Sequence, residues 1–254
     1  MLFDTHAHFD DPQFDSDRDE VIKSLADDGV TRVMNIGANM ETSKKAIEIA
    51  NKYDFIYATV GVHPCDTYDM TDEDIERLRI MAKNNPKVRA IGEIGLDYHF
   101  DDTKPDIQKE WFIKQLRLAK ELNMPVVIHD RDSKGDVIEI LKREGISNGV
   151  MHCFSGSAET ARELVKMGFM ISFTGVLTFK NARRAVEACR SIPIERLMIE
   201  TDCPYMAPEP HRGERNYSGY VKYVARKMAE IKGLSYEETA RITMENGLRF
   251  YGIE

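Results

Sequence analysis

Short apolar runs alternate with stretches of helical periodicity along the whole chain. The runs are LF at 2–3, TRVMNIG at 31–37, FIYATVGV at 55–62, VRAIG at 88–92, PVVI at 125–128, NGVM at 148–151, FMISF at 169–173 and RLMI at 196–199. Their length and bounds predict strands. Between them the spacing predicts helices at about 17–28, 41–53, 71–84, 105–123, 133–144, 157–167, 181–191 and 217–232, with a last one at about 235–246. Thr71 stands before three acids that fill a first turn, and Pro105 suits a first helical position. Eight strand-then-helix units without long spacers imply parallel strands joined by right-handed crossovers.

Length decides between the two parallel architectures. A chain of 254 residues holding eight such units fits a closed (β/α)8 TIM-like barrel, which runs to about 250 residues as one domain. The competitor, an open doubly wound sheet, lacks its G-x-G-x-x-G after the first strand. No linker or repeat divides the sequence, so residues 1–254 are expected to form a single domain.

Composition narrows the class. Hydrophobic residues make up 42% and charged ones 31%, as in soluble globular proteins, and the formal charge is −8. That acidity argues against a broad basic face for nucleic acid but not against a local metallic site. No apolar run approaches the roughly 20 residues of a membrane span. Cys65, Cys153, Cys189 and Cys203 show no C-x-x-C pair and no disulfide framework. The opening MLFDTHAHFDD has neither a basic nor an apolar leader region, so a cytoplasmic protein is expected. No obligate protein partner is evident.

The chemistry lies where the apolar runs stop. The first is followed by His6 and His8, the third by His63, the fourth by Glu93, the fifth by His129, the sixth by His152 and the last by Asp202. In a barrel all strand C-termini open on one face, so these side chains are expected to converge there. Imidazoles with carboxylates suit zinc, manganese, nickel or iron. His6 and His8 are two apart and point to the same side of an extended backbone. Asp4 shares that parity and is placed to orient a ligating imidazole from behind. Four histidines and two carboxylates exceed one tetrahedral shell; two ions about 3.5–4 Å apart, bridged by Glu93 and a water, use them all. A lone histidine at a strand end is more often a cap or a core residue. The joint pattern is what points to metal, because core histidines have no reason to collect at strand ends. A carboxylate at a barrel mouth is also costly unless paired or metal-bound.

The segments DTHAHFD at 4–10, GVHP at 61–64, AIGEIGLDYH at 90–99, VVIHDRD at 126–132, HCFSG at 152–156 and ETDCPYMAP at 200–208 follow one another in a recognisable order. The sequence resembles the TatD family of metal-dependent hydrolases, deoxyribonuclease-like members of the amidohydrolase superfamily. The resemblance implies a TIM-like barrel of the metallo-dependent hydrolase type. It implies two divalent ions (zinc, manganese, magnesium, nickel or iron) held by His6, His8, Glu93, His129, His152 and Asp202. A carboxylated lysine bridge, used elsewhere in that superfamily, is excluded because Glu93 holds the corresponding position. Relatives commonly follow Arg-Asn with Glu-Pro, whereas here Asn216 precedes Tyr217 and Ser218, which puts the rim of the pocket in question rather than the metals.

The reaction that the resemblance implies is hydrolysis of DNA phosphodiesters by a water that a divalent ion activates, as an exonuclease on single-stranded ends. Asp202 orients that water and accepts its proton, with Glu93 beside it. Glu200 shares the strand parity of Asp202 and supports or ligates; the competing reading makes it the buried partner of an arginine. His63 donates to a phosphate or to the leaving oxygen. Arg131, two residues after His129, and Arg212, with Arg215 after the last strand, are candidate phosphate clamps. Tyr98 and His99 are candidates for stacking on a base. The alternative substrate is another ester or amide, such as a small phosphoester or a mischarged aminoacyl-tRNA. Either way the expected partner is a phosphoester or similar substrate with a small footprint.

Overall fold

The structure, a computed structural model, describes residues 1–100 and 103–254. Its strands are β1 (Leu2–Ala7), β2 (Val30–Asn35), β3 (Ile56–Val60), β4 (Val88–Asp97), β5 (Val126–Arg131), β6 (Gly149–Met151), β7 (Met170–Phe173) and β8 (Leu197–Ile199). They form one sheet in the order β1 to β8, and the described ladders are parallel. The helices are α1 (Arg18–Ser24), α2 (Met40–Lys52), α3 (Asp72–Asn84), α4 (Pro105–Leu122), α5 (Asp136–Glu144), α6 (Ala158–Lys166), α7 (Arg183–Ser191), α8 (Val221–Lys232) and α9 (Tyr236–Tyr251). Strand order and alternation are those of the (β/α)8 barrel that the periodicity predicts. Among the described residues no helix is long and apolar enough to cross a membrane.

Local chemistry sets the boundaries. Asn39 caps α2 by accepting from the backbone N–H groups of Glu41 and Thr42, while Thr42 returns the contact. Ser235 caps α9 by accepting from Glu238, and Gly252, with φ of 60°, closes that helix. The helix runs on to Tyr251, past its expected end near 246, carrying Gly247 within it where the chain packs closely on Phe3.

Contacts group the chain into two compact units. The first comprises Met1–Asn35, Cys153–Lys166 and Met170–Glu254. In it β7 pairs with β8, β1 with β2, and a parallel bridge joins Ala7 to Cys203. Helix α9 covers β1: the Tyr251 hydroxyl donates to the Thr5 carbonyl, and Gly247 lies so close to Phe3 that a Cβ there would sit 2.6 Å from its ring.

The second unit, Ile36–His152 with Met167–Phe169, carries the β3–β4–β5–β6 ladders. Here β4 differs from expectation. It does not stop at Gly92 but continues through Glu93 to Asp97. The apolar run ends where the inward-facing residues turn polar, so a hydrophobic pattern stops short of the true strand end. Gly95, between Glu93 and Asp97, has φ of 151°, and a Cβ on it would lie 1.9 Å from the His129 carbonyl oxygen. Glycine is therefore required for β4 to close on β5 beside the site. Gly95→Ala is expected to destabilise the protein by about 3 kcal/mol or more. A thermal melt checks this, and an unchanged Tm contradicts the close approach.

Candidate metal centre

Within the second unit, one carboxylate oxygen gathers the histidines. Glu93 Oε1 lies 2.8 Å from His129 Nδ1 and 2.7 Å from His152 Nε2, and those two nitrogens are 3.3 Å apart. His63 stands off, with Nε2 3.9 Å from the same oxygen and its ring edge-on to His129 at 4.4 Å. The backbone fixes each position. Glu93 N–H donates to the Gly37 carbonyl, His152 N–H to Ile128 and His63 N–H to Ala38. The Cys65 N–H donates to His63 Nδ1 at 3.3 Å, which leaves Nε2 of that ring as the protonated, donating nitrogen.

Asp97 completes this cluster and was not singled out in the sequence. Its Oδ2 is 3.0 Å from His129 Nε2, so His129 is flanked by a carboxylate on each ring nitrogen. The signal was present: residues 93, 95 and 97 share one strand parity, and β4 simply extends further than its apolar run. Gln108 holds Asp97 in place, accepting from its N–H and donating to its carbonyl.

The electrostatics favour a cation. Burial alone would push the Asp97 carboxyl up, but the hydrogen bond and charge of His129 outweigh it and hold the group below its ordinary range. Burial pulls His129 down, yet Asp97 and Glu93 together hold its imidazole above the usual range. The two carboxylates thus draw positive charge to the place where they meet. Burial, with His129 next, pushes His63 down to about 3, so it is neutral at neutral pH. Nitrogen and carboxylate donors this close, in surroundings that favour positive charge, fit a divalent ion.

The first unit carries a second cluster. His6 Nε2 and His8 Nε2 are 3.1 Å apart, and Asp202 Oδ1 lies 3.6 Å and 3.4 Å from them. The expected shared face of His6 and His8 is present. His6, however, lies inside β1 rather than beyond its end. Asp202 N–H donates to the His6 carbonyl and His8 N–H to the Cys203 carbonyl, which laces the chain after β8 onto β1. Asp202 has φ of 58°, a left-handed conformation uncommon for a residue with a side chain and frequent at functional sites.

Asp4 acts differently from expectation. Its carboxylate accepts from the Thr201 N–H at 2.8 Å, from the Thr201 and Ser218 hydroxyls, and from the His6 N–H at 3.4 Å, rather than from an imidazole. It therefore ties β1 to the segment that carries Asp202. Burial pushes its carboxyl up to about 7 against the pull of Ser218 and Thr201. The Ser218 hydroxyl is thus one of the groups that hold the Asp4 carboxylate. Asn216 donates to the Thr201 and Tyr205 carbonyls and braces the same segment. Glu200 is buried and accepts from the Cys153 N–H at 2.6 Å, so it fixes the backbone that follows His152.

The basic residues are set differently. Arg131 lies over the ring of Phe100 and Arg212 over that of Phe179, at 4.9 and 4.2 Å from the centroids. Arg215 is bound through two nitrogens to Asp17 and caps the Phe14 ring, which makes it a brace rather than a clamp. The Tyr98 hydroxyl donates to Asp136, and His99 stands edge-on to Phe100.

Known proteins resemble the chain in sequence and in fold. The family described as TatD related DNase matches residues 3–252. A Bacillus subtilis (strain 168) protein named uncharacterized metal-dependent hydrolase YabD is 51% identical over the full length of both chains. The 3'-5' ssDNA/RNA exonuclease TatD of Cronobacter sakazakii is 35% identical over 91% of this chain and 90% of its own. The crystal structure of YJJV, a TatD homologue from Escherichia coli K12, superposes with a TM-score of 0.94 at 29% identity, covering 100% of this chain and 98% of its own. With that match across its length, and with imidazole and carboxylate clusters at its strand ends, the chain belongs to the TatD family of metal-dependent hydrolases.

Proposed function

We propose that the protein hydrolyses phosphodiester bonds at single-stranded nucleic-acid ends, with DNA as substrate, using two divalent ions, one on each cluster. The observation that carries the reading is the convergence of His129 and His152 on Glu93 Oε1, at 2.8 and 2.7 Å. The ions, when bound, supply Lewis acidity and a nucleophile at neutral pH. The chain's own groups supply the rest. Asp202 orients the attacking water and takes its proton as the new oxygen–phosphorus bond forms. His63, neutral and donating through Nε2, hydrogen-bonds the oxygen that leaves as the old bond breaks. Arg131 and Arg212 hold phosphate oxygens at the edge of the site. No disulfide joins the cysteines, which suits a reducing cytoplasm.

The test is turnover of an end-labelled single strand with each of several divalent metals, beside a small phosphodiester and a mischarged aminoacyl-tRNA. Shortening of the labelled strand is expected. Turnover of another substrate with none of the strand overturns the reading. With a net charge of −8, few phosphates are gripped. For two or three contacts, log K against log salt should slope at about −1.4 to −2.1. A much steeper slope contradicts the small footprint.

A further inference from the structure

One exposed ring lies three residues beyond Asp97, a member of the cluster around Glu93 and His129. Phe100 is 46% exposed, on the loop that leaves β4. A lone exposed aromatic is ordinary on a protein surface. This one is not alone. The Arg131 guanidinium lies 4.9 Å from its centroid, and the His99 ring meets it edge-on at 5.0 Å. Residues on either side of it are also held. Tyr98 N–H donates to the Arg131 carbonyl, His99 N–H to Asp97 Oδ1, and Gln108 to the Thr103 carbonyl. Tyr98, the other aromatic of the loop, is committed through its hydroxyl to Asp136.

The position is set by the sheet. Arg131 lies two residues beyond His129 on β5, so both side chains leave the same face, separated by about 6.7 Å along the strand. Its register partner is Asp97, the residue that holds His129 Nε2. A guanidinium for a phosphate and an aromatic face beside it are the two elements by which proteins hold single strands without reading sequence.

We propose that Phe100, backed by Arg131, is a stacking ledge for one base of a single-stranded nucleic acid, the base adjoining the phosphate that Arg131 holds. This rests on the nucleic-acid reading above and sharpens it: the ledge favours strands that carry bases over small phosphoesters.

Binding tests it apart from cleavage. The metal-loaded protein is titrated with a short single strand carrying 2-aminopurine at its end, and with the same strand made abasic at that position. For the base-bearing strand, Phe100→Ala should raise Kd about tenfold and abolish the fluorescence quenching. The abasic strand should show little of that loss, and Phe100→Trp should restore tight binding. Equal losses on both strands, or unchanged Kd and quenching, overturn the ledge. So does a wild-type protein that binds neither strand. Base-dependent binding through Phe100 without strand cleavage leaves the ledge standing and removes the nuclease reading. Cleavage without any effect at Phe100 does the reverse.

Discussion

Glu93→Ala is expected to lose at least one divalent ion per chain and about a thousandfold in kcat/KM, while the fold survives. The magnitude follows from the work assigned to this carboxylate. It meets both His129 and His152, and removing a charge that positions cations in a dry site costs about 4 kcal/mol of transition-state stabilisation. Survival of the fold follows from its surroundings. His129 keeps Asp97 as a partner, and Glu93 is a buried charge whose removal also removes a desolvation cost. Elemental analysis of the purified variant, read beside its melting curve, checks both parts. Full metal content in the variant would show that Glu93 is not a ligand.

Asp202→Asn is expected to lower kcat by about a thousandfold, within the range attributed to a positioned general base, with little change in KM. The substitution isolates chemistry from conformation. Asp202 holds φ at 58°, and asparagine is among the few residues that adopt the left-handed region readily, so the backbone contact to His6 should persist. What disappears is the proton acceptor and one negative charge facing His6 and His8. A kcat within tenfold of wild type would move the base elsewhere.

Much of this molecule could be read in its sequence, because parallel strands buried on both faces and amphipathic helices leave separate periodicities. The exceptions share one cause. Strand prediction relies on apolar residues, and β4 replaces them with Glu93 and Asp97 where the chemistry sits, so its last five residues were hidden and Asp97 with them. Histidines were found through their position after apolar runs. Their supports were not, because those depend on contacts between distant segments. Asp4 was assigned to an imidazole by parity, but three-dimensional proximity gives it Thr201 and Ser218 instead. The arginines show the same limit. Sequence cannot distinguish Arg215, locked to Asp17, from Arg131, whose guanidinium lies over a ring. Phe100 was missed because residue type alone favoured its neighbours Tyr98 and His99.

The lacing of β1 to the segment after β8 also bears on how the protein is made. Asp4 and Thr201 are 197 positions apart, and the first unit joins the opening 35 residues to the last third of the chain. A nascent chain therefore exposes His6 and His8 long before Asp202 has been synthesised. Contacts of such separation form late and slowly in folding. Until they form, the His6–His8 pair lacks its carboxylate and the segment carrying Asp202 lacks its anchor. The growing polypeptide therefore cannot assemble that cluster until the segment carrying Thr201 and Asp202 has been made.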